Sequence, residues 1–370
     1  MRSLHIDTAR TWRGGQNQVR LTVGGLRAAG HDVLLLAHAS GELARRAETG
    51  HLPLETFEPR SEFDVQAAWA MGAILDRFNP EVIHAHDPMA VALAAMALRM
   101  KRKGEERPLV VASRRVDFHL KRHAFSRWKY GHVDVFVAAS RFIGSILGQD
   151  GIPADRIEVV HDGVDVAAID AQPAVDAHAA LWLPHGAPLI GNVAALAPHK
   201  GQKHLVAAAS LVVREVPDAR FAIVGDGELR ETLEQQIKTA GLGKHMTLTG
   251  FRPDALGLVK SFDLFVMSSV TEGLGSAILE AMTCERAVVA TATGGIPEAV
   301  EAGVTGLLVP PHDEPALSAA IVRLLRDPEL CASFGRAGRA RVEREFSVAH
   351  LVAGTARVYE ERRRLMGSPS

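Results

Sequence analysis

The sequence predicts an α/β protein of two doubly wound parallel-sheet domains in tandem, and three observations predict it. Short apolar runs alternate with longer helical patterns along nearly the whole chain. The runs are rich in Val, Ile, Leu and Phe without clean alternation, as strands buried on both faces of a parallel sheet are. A stretch with three prolines and no strand character interrupts the series once, from Ala167 to Pro188.

The first series of runs is Ser3–Asp7, Asp32–Ala37, Val82–His86, Leu109–Ser113, Val133–Ala138 and Ile157–His161. The second is Leu189–Ala194, Arg220–Gly225, Met246–Thr249, Leu264–Ser268, Ala287–Thr291 and Gly306–Val309. Helical patterns between them make repeated βαβ units, Rossmann-like in plan. The expected division is a first domain over 1–170, a linker over 171–188, a second domain over 189–345 and a helical tail over 346–370 returning towards the first. Residues 367–370 are expected to fray. Open α/β sheets bind ligands outside the carboxyl ends of their strands, so two such sheets are expected to face a ligand cleft.

Composition sets the class. The chain has 370 residues, 47 % hydrophobic and 23 % charged, enough for two cores. A net charge of −1 gives no overall field towards nucleic acid or membrane. Two distant cysteines, Cys284 and Cys331, argue against a disulfide framework and for a reducing compartment. The start, Met1 to Asp7, has no apolar run after a basic segment, and no 18 apolar residues run together. The expectation is a cytoplasmic enzyme.

The densest chemistry follows the run Leu264–Ser268. There Glu272, Gly273, Leu274 and Gly275 form a loop, Ser276 is placed to cap the next helix, and Glu280 lies one turn further on. Glycines let the backbone approach a ligand and take positive φ. Free N–H groups at a helix start suit an anion or a sugar hydroxyl. A carboxylate at Glu280 can accept two hydrogen bonds from a ribose diol.

Glu-Gly-x-Gly, then Glu-Ala-Met, then Val288–Thr291 and Gly294-Gly295-Ile296-Pro297-Glu298 resemble glycosyltransferase family 4, retaining enzymes of the GT-B fold. The resemblance implies that Glu280 holds the nucleotide ribose. It implies that Glu272 and the amides of Leu274 and Gly275 contact donor sugar and phosphate. It places Lys200, in Ala197-Pro198-His199-Lys200-Gly201, at the diphosphate, where an ammonium would stabilise the leaving group. The family carries an arginine where this chain has Ala195, and His199 and Arg252 are the candidates to take its place. Glu285 and Ala287 stand where the family has Gly and Pro.

Gly225, in a glycine-rich turn, is expected beside the base pocket, and Gly250, Phe251 and Arg252 match a base-contacting segment. Gly14 and Gly15 open a helix and match a Gly-Gly that faces phosphate or sugar, and Asn17 just after them is a candidate for the acceptor. A Gly-x-Gly-x-x-Gly fingerprint is absent. His86, in His84-Ala85-His86-Asp87, matches a histidine near the transferred sugar, while His84 reads as a packed residue. Neighbours in sequence supply no further metal ligands, so no metal is expected. Ser140 matches a position on the acceptor side, and Arg114 and Arg115 are candidates for an acceptor phosphate.

Residues 99–132 form a basic stretch interleaved with Phe118, Phe125, Trp128 and Tyr130. By itself it fits nucleic acid, a membrane surface, a lipid-linked anionic acceptor or a solvated basic face, and the resemblance implies acceptor or peripheral membrane contact over nucleic acid. The function expected is a retaining transfer of sugar from a nucleotide sugar, with no other cofactor, to a saccharide or lipid-linked hydroxyl in envelope glycan, lipopolysaccharide or glycolipid synthesis. A nucleotide-sugar epimerase or hydrolase, or a non-catalytic nucleotide-sugar-binding protein, fits the same architecture. Base, sugar, acceptor and oligomeric state stay open.

Overall fold

The computed structural model describes residues 1–100 and 107–367. Residues 101–106 of the basic stretch and residues 368–370 of the tail lie outside the described residues. The chain divides into two compact units, one of residues 1–163 with the C-terminal helix from Val348, the other of residues 164–347.

The first unit holds seven strands: β1 (Arg2–Asp7), β2 (Asp32–His38), β3 (Leu54–Phe57), β4 (Val82–Ala85), β5 (Leu109–Arg114), β6 (Val135–Ala138) and β7 (Ile157–Val159). All pair in parallel, in the order β3-β2-β1-β4-β5-β6-β7. Apolar residues cover both faces. Helices Val65–Phe78, Pro88–Met100 and Arg141–Gln149 pack on one. Helices Gly14–Ala28, Glu42–Thr49 and Val348–Gly367 pack on the other. A side chain on Gly25 would run into Val352, so the glycine lets the last helix lie close against the first.

The second unit holds β8 (Leu189–Val193), β9 (Arg220–Val224), β10 (Met246–Gly250), β11 (Leu264–Met267), β12 (Ala287–Thr291) and β13 (Gly306–Val309). They too are parallel, in the order β10-β9-β8-β11-β12-β13. Both sheets reverse direction once, between β1 and β4 and between β8 and β11. At these switch points two neighbouring loops diverge to opposite faces and leave a crevice at the carboxyl edge.

Residues 171–188 do not form a free-standing connection. Ile169 and Ala177 are buried in the core of the second unit, and the Val175 amide donates to the Gly257 carbonyl at 3.0 Å. Glu285, where the resemblance expects glycine, still takes the left-handed conformation at φ 57°. No described helix is long and apolar enough to cross a membrane.

Candidate functional site

At the second switch point, β8 leads into Ala194–Gly201 and β11 into Ser268–Gly275. Backbone bonds tie the loops together: the Val270 amide donates to the His199 carbonyl at 2.8 Å. Gly201 sits at φ 64°, and a Cβ there would overlap the Ser268 carbonyl. This close approach brings Lys200 Nζ to 2.5 Å from Glu272 Oε2. Ser269 Oγ donates to the same oxygen at 3.3 Å. The ammonium and carboxylate are 18 % and 13 % exposed, a depth at which an unpartnered charge would be costly.

The loop after β12 braces Glu272 from the other side. The Gly295 amide donates to the Glu272 carbonyl at 3.0 Å, and Thr293 Oγ1 to the Val270 carbonyl at 2.8 Å. Gly294 adopts φ 57°, and a Cβ there would collide with the Glu272 carbonyl. The Gly-Gly of the sequence motif is therefore the mould of the loop that carries Glu272.

Gly275, at φ 93°, is the N-cap of the helix Ser276–Thr283. Ser276 does not cap it, contrary to expectation. It is already the first helical residue, and no side chain takes the cap position. The amides at the helix start are left to other acceptors. Gly273 and Leu274 are buried, and Leu274 anchors the loop in the core. Glu280 is half-buried on this helix. Burial alone pushes its pKa up to about 7, and its carboxylate has no hydrogen-bond or ion-pair partner among the described residues.

The remaining donor candidates lie at the ends of β9 and β10. Gly225 and Gly250 face each other in a one-residue antiparallel bridge, the Gly225 amide donating to the Gly250 carbonyl at 3.0 Å. Gly225 has φ 146°, where a Cβ would strike the Ala194 carbonyl, so this turn supports the loop bearing Lys200. Phe251 is largely exposed. Arg252 is held bidentate by Asp254 at 2.7 and 2.6 Å, so its charge is already matched within its own turn. Ala195 is exposed, and its carbonyl accepts from Gln202 Nε2 at 2.8 Å.

In the first unit, Gly14 and Gly15 open the helix Gly14–Ala28, and nothing lies within 4 Å of a Cβ built on Gly15. Gln16 ties this start to the end of β1, its Nε2 donating to Asp7 Oδ2 at 3.2 Å. Asn17 is engaged by Arg20 at 3.1 Å. Asp87, after β4, accepts from Thr8 N at 2.6 Å and from the amides of Met89 and Ala90. Burial and the nearby Asp87 push the Asp7 pKa up to about 6.

His86 belongs to a cluster that local sequence did not show. Register pairs His5 on β1 with His84 on β4, and the rings of His84 and His86 stack at 4.2 Å. All six ring nitrogens of the three residues are engaged. His84 meets Tyr359 Oη at 2.6 Å and Ser113 Oγ at 2.7 Å. His5 Nδ1 meets His86 Nε2 at 3.1 Å, and His5 Nε2 meets Ser3 Oγ at 3.1 Å. Arg115 Nη1 meets His86 Nδ1 at 3.4 Å. A guanidinium only donates, so His86 Nδ1 accepts. Neutral His86 then carries its proton on Nε2 and gives it to His5 Nδ1, and His5 donates from Nε2 to Ser3. Burial first, then neighbouring positive groups, lowers the pKa of each ring, that of His5 to about 3. Three neutral histidines within 4.8 Å offer metal-ligand geometry. The engaged nitrogens and the Arg115 cation work against an ion there.

The three remaining acceptor candidates, Ser140, Arg115 and Arg114, are each engaged within the protein. Ser140 is 0 % exposed and caps the helix Arg141–Gln149 by accepting from Ile143 N at 3.1 Å. Arg115 is turned inward, its Nε 2.8 Å from Asp162 Oδ1, with both side chains mostly buried. Arg114 donates to the Phe118 carbonyl and is half-buried.

Two family models divide the chain between them. Residues 12–168 match the description Glycosyltransferase Family 4, and residues 176–341 match Glycosyl transferases group 1. EpsD of Bacillus subtilis (strain 168), a glycosyltransferase by assignment, is 27 % identical over 89 % of each chain. The GDP-mannose-dependent alpha-(1-6)-phosphatidylinositol monomannoside mannosyltransferase of Mycolicibacterium smegmatis is 35 % identical over 56 % of each chain, so that match spans just over half of the relative. Among solved structures, Anabaena Alr3699/HepE in complex with UDP superimposes with a TM-score of 0.83 at 23 % identity, covering 98 % of this chain and 100 % of that one. The chain belongs to glycosyltransferase family 4 and is a glycosyltransferase of the GT-B fold.

Proposed function

We propose that this enzyme transfers a sugar from a nucleoside diphosphate sugar to a hydroxyl of a saccharide or lipid-linked acceptor, with retention of configuration, in envelope glycan or glycolipid synthesis. The observation that carries the reading is Glu280, a half-buried carboxylate without a partner among the described residues, one turn beyond a helix start whose amides lack a side-chain cap. A ribose diol supplies the donors that Glu280 lacks. The diphosphate takes the amides at Leu274 and Gly275 and the ammonium of Lys200. Glu272 pairs with Lys200 and contacts the donor sugar when the donor binds. Gly225 and the segment Gly250–Arg252 border the base. A UDP complex of a structural relative and a phosphatidylinositol mannoside acceptor in the name of another support these classes of ligand.

In the reaction the bond from the anomeric carbon to the diphosphate oxygen breaks, and a bond to the acceptor oxygen forms on the same face. The acceptor proton passes to the departing diphosphate. Lys200 and the amides match the growing negative charge where it appears, the usual source of the largest catalytic term. This reading uses protein cations and amides for that charge and calls on no metal. The first unit supplies the acceptor side, with Gly14, Gly15, Asn17 and His86 at its switch point. Contact of the basic segment 99–132 with a membrane belongs to the same reading.

A thermal-shift screen with UDP, GDP, ADP and their sugars tests it, because a ligand of the native state alone must stabilise it. One nucleotide series should raise Tm in the wild type and fail to do so in Glu280→Ala. No shift with any nucleotide would overturn the donor assignment. Conversion of the donor with no acceptor present would favour the epimerase or hydrolase reading.

A further inference from the structure

The second unit joins two imidazoles and a carboxylate that the donor assignment does not use. His204 lies in the first turn of the helix Gln202–Glu215, which follows β8. His312 lies just after β13, and Glu314 opens the helix Glu314–Arg326. The two helices share one apolar core, Leu205 and Val206 of the first with Leu317 and Ile321 of the second, and their starts come together at the carboxyl edge of the sheet. There His312 Nδ1 is 2.9 Å from His204 Nε2, and His204 Nδ1 is 2.6 Å from Glu314 Oε1. The two ring planes stand nearly perpendicular, at 81°. An ionised carboxylate only accepts, so neutral His204 keeps its proton on Nδ1 and turns the lone pair of Nε2 towards His312.

His312 is held in this place at a cost to its backbone. Its φ is 60°, a left-handed conformation that glycine takes without strain, so the imidazole is what this residue adds. Pro310 and Pro311 stiffen the chain before it. Asp313 after it caps the next helix, accepting from Ala316 N at 2.8 Å. The pair differs from the buried histidines of the first unit, where Arg115 stands 3.4 Å from His86. Here the charged neighbour is a carboxylate, and among the described residues no Lys or Arg pairs with it.

We propose that His204 Nε2 and His312 Nδ1 together bind a Zn²⁺ ion, with Glu314 orienting His204 from behind. A ligating histidine that donates its other N–H to a carboxylate is the usual support of a zinc site, and it raises the basicity of the ligand. Tetrahedral zinc, with Zn–N of about 2.0–2.1 Å, holds two nitrogens about 3.3 Å apart. The rings stand 2.9 Å apart, so they need only part slightly, and His312 is exposed and can turn. On binding, the proton on His312 Nδ1 moves through solvent to Nε2 of the same ring. Both imidazoles stay neutral, no proton is lost, and water fills the remaining positions. Imidazole ligands favour zinc over Mg²⁺ or Ca²⁺, which take oxygen. The ion ties the loop after β13 to the helix start four residues beyond Lys200 and takes no part in the donor reading.

Isothermal titration of the full-length, tag-free protein, first stripped with a chelator, tests the proposal with ZnCl₂ and, as control, MgCl₂. The wild type should bind a single Zn²⁺ and gain Tm with it, and should not respond to Mg²⁺ at the same concentration. His312→Gly should lose this binding. Its metal-free Tm should equal or exceed that of the wild type, because glycine relieves the left-handed backbone, so misfolding cannot imitate the result. Glu314→Gln keeps both imidazoles and should weaken zinc binding about 10–100-fold. In chelator, both variants should keep the wild-type nucleotide shift, which separates this proposal from the donor assignment. No zinc binding by the wild type, or affinity unchanged in either variant, overturns it. So does an equal response to Mg²⁺.

Discussion

Lys200 Nζ lies 2.5 Å from Glu272 Oε2 across the two loops that leave the switch point of the second sheet. Each charge is buried enough to need the other, so single and double substitutions should not add. Lys200→Met and Glu272→Gln should each lower stability by roughly 1–3 kcal/mol, less than for a fully buried pair because solvent still reaches both groups. The double variant should recover most of that loss. Turnover should fall about 100-fold or more with Lys200→Met and should stay low in the double variant. Urea unfolding and kcat on one donor check both halves. Additive stability losses would mean the pair is not coupled.

Glu280 gives the enzyme a proton-linked donor site. Burial raises its pKa from 4.5 to about 7. A ribose diol donates to the ionised form, so donor binding should release a proton and tighten as pH rises towards 7, then level off. A nucleotide sugar has no phosphate titrating there, which isolates Glu280. Isothermal titration in buffers of different ionisation enthalpy should show the proton in wild type and none in Glu280→Gln. The sign for folding is opposite. The native state keeps the proton between pH 4.5 and 7 and the unfolded chain does not, so this group lowers stability as pH rises through that window. Glu280→Gln should therefore gain Tm over the wild type at pH 8 and not at pH 4.

The strand series was legible because strands buried on both faces read as apolar runs, and the glutamate spacing was legible because both residues sit on one loop and helix. The edge strand β3 was not: Leu54–Phe57 is four residues long and mostly half-buried, so its sequence carries no apolar run. The histidine cluster was half legible. His84 and His86 declare themselves two residues apart, while His5 joins them only through the register of β1 on β4. Ser140 has a local partner, the Ile143 amide of the helix it caps, which its place before an apolar helical pattern already suggests, whereas the partner of Arg115, Asp162, is set by tertiary packing. The Gly294-Gly295 motif was seen as a signature, and only the fold shows that it moulds the Glu272 loop.

Two glycines separate backbone need from ligand need. At Gly294, φ is 57° and a Cβ would meet the Glu272 carbonyl. Gly294→Ala should cost more than about 1 kcal/mol of stability and displace Glu272, with loss of donor binding. At Gly15 a Cβ meets nothing within 4 Å, so Gly15→Ala should leave Tm unchanged or slightly raised. If the helix start at Gly14 and Gly15 faces a substrate, Gly15→Ala should still raise a KM. Unchanged kinetics at both positions would remove them from the site.

Arg115 sets the protonation pattern of the buried histidines, and this can be read directly. Its guanidinium donates to His86 Nδ1, so His86 and His5 should both be neutral and protonated on Nε2. Nitrogen-15 spectra should show those tautomers unchanged from pH 8 down to pH 5, because each ring has a pKa below the ordinary 6.5. The unfolded chain takes up protons on these rings below pH 6.5 while the native state does not, so they cost stability as pH falls from there. Arg115→Met removes the donor and the nearby charge. It should mix the tautomers and shift the acid loss of stability only slightly towards the ordinary histidine range, because burial is the larger cause and still holds the His86 pKa down. Asp162→Asn keeps Arg115 in place while removing its counter-charge, and should leave the tautomers intact. A wild-type His86 protonated on Nδ1, or titrating near 6.5, would remove Arg115 from this role and leave it free for the acceptor.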